Sequence, residues 1–575
     1  MRRFVCARSR TYFCALVDQI AMQSIEIDHF ARSAENESSN RERLDVMIDD
    51  YLDYIHYLND VLLIKDEQLS AMFIEVIFER LLAPLYLASL GGLRVRQTAA
   101  VLTPVSALFF LTQFLLIVDD FQAVQTLLSS FFFGDNSDVQ YQWMRSQTTT
   151  WVLGSAKPKS TELRAFFNGY LNSLVCSRND HSAFFGLIFI YAFCQNKGAR
   201  GEILEAVQFT SDALGSSEHN FLSFLLDVIT KCAEKEAFIR TITVELCCVV
   251  IRQLLLAMDA SVETQMECKR RADKAKADIV AALTPSVHSE ELFLEMFEDE
   301  FYNFERSKIR VGNMSVDSAL LLPPPSTPMS GVPLNKRLPS GNEERIRRGI
   351  QLFFHLRRFA LDLGGEEEPD LHAPLKADVI VEVNDCINLV VMNNRGERVH
   401  RFLVTDQAQL ILVEPDNKRM GWAVVRFVGL LQDTQVTGDL GDSRALHIIV
   451  NNVGSRSSRA NNALCFNAKL IFDDHIRCMA AKQRLTKGRQ IARQRRLDQI
   501  CDLLGVAKKN SVWENNKNPF RVVKGCPPGS LRRQQLGSPS SSRSSNSSLN
   551  IVPDDPEHGA AGPSTSSKDW KTENI

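Results

Sequence analysis

The sequence predicts an α+β multidomain chain, helical in its first half and β-rich in its second. Three observations predict it. Apolar residues recur at helical spacing through the first ~310 residues. The period switches to two near Leu371, and beyond about Asn510 the composition collapses into serine-rich low complexity. The 575 residues correspond to about three to five domain-sized units. Hydrophobic residues make up 45% and charged residues 23%, enough apolar material for large cores. A net charge of −3 argues against a dedicated nucleic-acid binder, which carries a basic excess.

Residues 1–11 read as an atypical, basic N-terminus, and 12–310 as successive helices. The clearest helix is Arg41–Ile64, where Leu44, Ile48, Tyr51, Ile55, Leu58 and Leu62 form one apolar stripe with Asp45, Asp49, Asp53 and Asp60 off it. Further runs are Glu67–Leu90, Thr98–Asp119, Phe121–Phe132, Thr161–Cys176, Ala183–Gln195, Gly201–Leu214 and Glu218–Met258. One-sided stripes joined by short loops predict a stacked α-solenoid of the armadillo or HEAT type, although no fixed sequence period is visible. In Ser289–Glu305, Phe293, Phe297, Phe301 and Phe304 line one face, and Glu290, Glu291, Glu295, Glu298, Asp299 and Glu300 supply acid. This reads as a docking helix with a solvated acidic face, the alternative being a partner site.

Prolines at 323, 324, 325, 328, 333 and 339 exclude regular helix or central strand from 311–342, a linker expected to run extended. Residues 343–370 are a helix closed by an acidic loop. In 371–505, Ile387–Met392, Arg398–Val404, Gln409–Glu414, Trp422–Val428, Ala445–Asn451 and Ala463–Phe472 alternate as short strands, and Asp474–Leu504 is helical. Several antiparallel strands closed by one helix outline a pleckstrin-homology-like β-barrel, the alternative being an unrelated sandwich. Residues 506–575 read as a disordered tail.

The 13 cysteines are scattered and include no C-x-x-C, which predicts buried thiols in a reducing compartment. No apolar h-region follows the N-terminal arginines, so no secretory signal is read. Ala99–Val118 has spanning length and no charge, but Thr103-Pro104, Gln113 and flanking apolar helices suit a buried helix.

Enzyme constellations are missing: there is no phosphate-binding loop, no H-E-x-x-H and no G-x-S-x-G. His56 and His475 read as packed or capping residues, and no cofactor or metal is expected. The concentrated charge feature lies on the last helix, where Lys482, Arg484, Lys487, Arg489, Arg493, Arg495 and Arg496 are interleaved with few acids. Lys482, Arg484, Lys487, Arg489 and Arg493 are the candidate contact to an anionic membrane or partner, provided they share one face. A solvated helix face accounts for the same run equally well. Leu497, Ile500 and Leu504 are expected to hold the helix on the barrel.

LDYIHYLNDVLLI (Leu52–Ile64), LFLEMFEDEF (Leu292–Phe301), LLPPPSTPMSGVPLNKRLPSG (Leu321–Gly341), GWAVVRFVGLLQDTQV (Gly421–Val436) and DDHIRCMAAKQRLTKGR (Asp473–Arg489) together resemble one family. It is the C-type lectin domain family 16 member A proteins, called Ema in flies. The resemblance runs from about Tyr12 to Leu504 and lacks most of the further helical domain with which the family begins. No calcium-lectin signature accompanies it: Glu414-Pro415-Asp416 has no disulfide framework around it. The resemblance implies a cytoplasmic, non-enzymatic regulator, peripheral on endosome, lysosome or Golgi membranes. It implies roles in endosome and phagosome maturation, autophagosome–lysosome delivery and mitophagy. The partners it implies are a membrane-tethering complex, Rab-type GTPases, a ring-finger ubiquitin ligase in vertebrates and an anionic endosomal surface, with no nucleic acid. The alternative is a component or adaptor of a ubiquitin ligase.

Overall fold

The computed structural model describes residues 2–508 except 92–101, 134–164, 177–178, 200–220, 235–236, 258–259, 288–290, 307–309, 326, 367–379, 384, 394, 417 and 452–463. The predicted helix Gly201–Leu214 and the tail from Asn510 lie outside these residues.

The first half is helical. The helix Ser38–Leu62 buries Leu44, Ile48, Tyr51, Ile55, Leu58 and Leu62, the six residues of the predicted stripe. The next helix, Glu67–Ile77, runs on through a π-helical stretch, Phe78–Leu87, that contains Pro84, and ends at Ala88–Leu90. Proline cannot donate to the helical ladder, and a widened turn accommodates it. Pro104–Ile117 starts on Thr103, whose hydroxyl accepts from the Ser106 amide, and is buried along Ser106–Leu115. It is the buried core of the uncharged run at 99–118. No helix among the described residues is long and apolar enough to cross a membrane.

Three expectations are corrected. The first helix, Arg2–Ser33, runs through the residues read as an atypical N-terminus. Glu218–Met258 is two helices, Phe221–Lys231 and Thr241–Ala257. A helix at Val262–Val287 was not anticipated. It buries Thr264, Cys268, Ala272, Ala275, Ile279, Leu283 and Val287, a stripe mostly of small residues that carries little apolar signal.

The segment between two of these helices holds a buried ion pair. Asp180 accepts from the Arg240 amide at 2.9 Å, from Arg240 Nε at 2.9 Å and from the Thr243 hydroxyl. Both charged side chains are 0% exposed. The pair ties the start of His181–Gln195 to the start of Thr241–Ala257.

The proline-rich segment lies against the helical core. Its short helices Val311–Ser315 and Ser318–Leu321 bury Val311, Met314, Ser315 and Ser318 to Leu321. Asn36 Nδ2 donates to the Ala319 carbonyl and Gln113 Nε2 to that of Ser315, each at 2.9 Å. His181, held neutral because burial lowers it to about 4, donates from Nε2 to the Leu320 carbonyl at 2.9 Å. Arg337 then pairs with Glu344 at the start of Asn342–Gly364. That guanidinium holds the Glu344 carboxyl down at about 2.

The second half is one antiparallel sheet of eight strands in the order β1-β5-β4-β3-β2-β8-β7-β6. They are β1 (Ile380–Glu382), β2 (Ile387–Asn393), β3 (Arg398–Thr405), β4 (Gln409–Pro415), β5 (Trp422–Leu430), β6 (Thr434–Gly438), β7 (Ala445–Asn451) and β8 (Leu464–Phe472). β1 and β6 were not anticipated. They are the short edge strands, and among the described residues they do not pair with each other. The sheet is therefore a pleckstrin-homology-like sheet rather than a closed barrel. One face packs Leu389, Leu403, Leu410, Leu446, Ile448 and Leu470 against Cys478, Ala481, Leu485 and Ala492 of the C-terminal helix, His475–Leu504.

Candidate interface on the C-terminal helix

Asp474 starts this helix, its side chain accepting from the Arg477 amide at 2.8 Å. Gly505, at φ 68°, ends it in the left-handed conformation that glycine adopts without strain. Its first half lies on the sheet. A side chain added at Gly488 would meet Leu431 Cδ1 at 3.1 Å, so the helix backbone there lies directly on the Leu431 side chain.

Its last turns do something else. Leu497, Ile500, Cys501 and Leu504 belong to the hydrophobic core of the helical half, not to that of the sheet. The expectation that Leu497, Ile500 and Leu504 pack on the barrel is corrected. At 100° per residue, the sheet-facing residues and these four occupy different sides of the helix. The stripe therefore rotates along the helix, and one helix joins two cores.

Charge follows the same division. Arg493 Nη1 lies 3.6 Å from Glu295 Oε1, and Arg496 Nε donates to Glu298. Both acids stand on Glu291–Arg306, the helix read as having a solvated acidic face. Its Asp299 and Glu300 are also enclosed and face Arg347 at 3.5 and 3.1 Å. The basic and acidic runs, separate features in the sequence, are each other's partners here.

Of the five candidate contact residues, Lys482, Arg489 and Arg493 fall on one side of the helix, and Arg484 and Lys487 on the other. The condition of a single shared face is not met. The side chain of Arg493 is 11% exposed. Lys482 and Arg489 are half-buried, and Arg484 and Lys487 are exposed. Arg484 Nη2 reaches Asp385 Oδ2 at 3.0 Å. The outward face also carries Ile476 and Ile491, both exposed. Among the described residues no group of His, Cys, Asp or Glu is arranged to hold a metal ion. The described cysteines are unbridged, and Glu414 of the lectin-like tripeptide is bound to Arg401 and Arg426 at 3.4 and 2.9 Å.

Comparison with known proteins matches both halves. A family model described as the CLEC16A helical domain matches residues 39–156 and 147–376. A second, the CLEC16A C-terminal PH-like domain, matches 375–505. Neither is a family of enzymes. A CLEC16A homolog of Caenorhabditis elegans is 34% identical, covering 98% of this chain and 77% of its own length. The Drosophila melanogaster homolog is 30% identical over 88% of this chain and 58% of its own. Human CLEC16A is 29% identical over 86% and 58%. The chain thus spans a little over half the length of the fly and human relatives. One solved structure, human RhoA with a DH/PH fragment of PDZRHOGEF, covers 56% of this chain and 90% of its own at 10% identity, with a TM-score of 0.16. A likeness that low carries no argument.

Proposed function

The chain belongs to the CLEC16A family, and from that premise we propose that it is a non-enzymatic scaffold of endosomal membrane traffic. In this reading it promotes endosome and phagosome maturation and delivery of autophagosomes to lysosomes, mitophagy included. It works from the cytoplasmic surface of endosomes, lysosomes or the Golgi, with a membrane-tethering complex and Rab-type GTPases as partners and a ring-finger ubiquitin ligase as client or associate. The observation that carries the reading is the match to both family modules across one chain, supported by the helix that fixes one module to the other. A scaffold needs two surfaces held in constant relation, and a shared helix supplies that. The test is depletion with rescue. Cells lacking the protein should accumulate undegraded autophagosomes, and re-expression should restore acidification of a tandem-fluorescent autophagosome reporter. Unchanged lysosomal delivery on depletion would overturn the proposal.

A further inference from the structure

Four positions in the chain place Ser or Thr directly before proline: Thr103, Thr284, Thr327 and Ser538. Kinases that modify such pairs take the substrate as an extended strand, and proline biases the residue before it toward that conformation. Ser538 lies outside the described residues, and the structure separates the other three. Thr103 starts the helix Pro104–Ile117, its hydroxyl accepting from the Ser106 amide and donating to Asp28 at 2.8 Å. Thr284 lies inside the helix Val262–Val287 and donates to the Val280 carbonyl at 2.8 Å. Neither hydroxyl is free. Thr327 differs: it is exposed, as are Pro328 and Met329, and its backbone is extended at φ −120° and ψ 142°. Its hydroxyl makes no hydrogen bond among the described residues. With Pro325 two residues before it, Thr327 stands in a Pro-x-Thr-Pro arrangement, which suits proline-directed kinases of the mitogen-activated class.

A cation lies against the same turn. The Ser330 hydroxyl donates to the Thr327 carbonyl at 2.8 Å, and the Ser330 carbonyl accepts from Arg41 Nη2 at 3.1 Å. Arg41 Nη1 donates to the backbone and side-chain oxygens of Asn36, each at 3.0 Å. All three acceptors are uncharged, and Arg41, half-buried, forms no ion pair among the described residues. The neighbouring cations of the proline-rich segment are already matched, Lys336 by Asp317 and Arg337 by Glu344. Asn36 Nδ2 in turn donates to the Ala319 and Pro323 carbonyls at 2.9 and 3.2 Å. The Arg41 guanidinium thus sits in the joint between the proline-rich segment and the helix Ser38–Leu62, one turn of chain from the Thr327 hydroxyl. A guanidinium that meets only neutral oxygens gains more from a phosphate than from any of them, because its hydrogen bonds then become charge-assisted at both ends.

We infer that Thr327 is a phosphorylation site for a proline-directed kinase and that Arg41 receives the phosphate. The phosphoryl donor is ATP. Thr327 Oγ1 forms a bond to the γ-phosphorus as the bond from that phosphorus to the β-phosphate oxygen breaks. ADP leaves, and the hydroxyl proton passes to the base of the kinase. The product adds close to two negative charges at neutral pH beside a cation that has no carboxylate. Phosphorylation therefore fastens the proline-rich segment to the start of the helix Ser38–Leu62, at a place where neutral hydrogen bonds alone hold the two together.

The experiment treats the full chain, carrying Ser538→Ala so that the other exposed candidate is silent, with ATP and a kinase of the mitogen-activated class. Mass spectrometry should find one added phosphate and map it to Thr327, with Thr103 and Thr284 unmodified. Thr327→Ala and Pro328→Ala should each abolish it, and both replace exposed residues, so the fold is kept. Phosphorus NMR then reads the receiver. The phosphate should titrate about one pH unit lower with Arg41 present than in Arg41→Gln. Amide exchange over residues 327–336 should slow on phosphorylation with Arg41 in place and stay unchanged in Arg41→Gln. A folded chain that takes no phosphate at Thr327 overturns the site. Modification of an isolated peptide of residues 321–333 would not rescue it, since the turn would then be closed to the kinase. Equal titration with and without the Arg41 guanidinium overturns the receiver, and with it the fastening of the segment.

Discussion

Glu245 and His355 face each other across two helices, Thr241–Ala257 and Asn342–Gly364, with His355 Nε2 3.9 Å from Glu245 Oε2 and the side chains only 13% and 18% exposed. Burial pushes Glu245 up to about 7, against the pull of the Arg358 guanidinium, and draws His355 down to about 4. The contact is thus not an ion pair near neutrality, because His355 is neutral there. A carboxyl whose folded value lies above its ordinary 4.5 stabilises the fold fully below that ordinary value. The contribution is lost as pH rises through about 7. Glu245→Gln copies the protonated form at every pH. It should therefore stabilise the protein at about pH 8, by on the order of 3 kcal/mol at most, and make little difference at about pH 4. His355 is common to both proteins and cancels in the comparison, which thermal unfolding across pH would read. An advantage that is equal at both ends would show that Glu245 titrates normally. Nothing in the sequence signalled this site, because its members stand far apart on helices with ordinary stripes. The same holds for Asp180 with Arg240. Pairs of that kind are decided by how helices stack, not by local spacing.

At the scale of elements, the parts that were legible had periodic apolar side chains large enough to show. The stripe of Ser38–Leu62 and the alternation of β2, β3, β4, β5, β7 and β8 were read at close to their observed bounds. Asp474 caps the last helix by accepting from the Arg477 amide. The helix Val262–Val287 was missed because Ala and Thr bury with little apolar contrast. The edge strands β1 and β6, three and five residues long, are too short for alternation to register. Charge was legible as two runs but not as one interface, since Arg496 and Glu298 lie 198 residues apart. That interface is testable by a double-mutant cycle. The two side chains are 17% and 15% exposed, so their coupling should exceed that of a surface pair and reach about 1–2 kcal/mol in denaturant unfolding of Glu298→Ala, Arg496→Ala and the double variant. Additive single effects would mean that the acidic helix and the basic helix merely lie side by side.

For the whole molecule, the C-terminal helix decides whether there are two modules or one body. Cys478, Ala481, Leu485 and Ala492 complete the core of the sheet, while Leu497, Ile500 and Leu504 complete that of the helical half. Each of the latter three, buried, contributes about 1.5–3 kcal/mol, so together they bind the two halves by several kcal/mol. Two folding units coupled that strongly melt together, because neither gains from unfolding while the other holds its helix. Ile500, 2% exposed, is the place to cut the link. Ile500→Asp puts a carboxylate where no partner awaits it, which costs enough to undock the last turns. It leaves the sheet-facing residues untouched, and the sheet keeps its own core. Calorimetry should therefore show one cooperative transition in the wild type and two in Ile500→Asp. The transition belonging to the sheet should stay close to its original temperature, and that of the helical half should fall. Exchange protection should be lost over 497–504 and retained over 478–492. A single transition in the variant would mean that the halves are coupled elsewhere, and the shared helix would then be a tether rather than a joint.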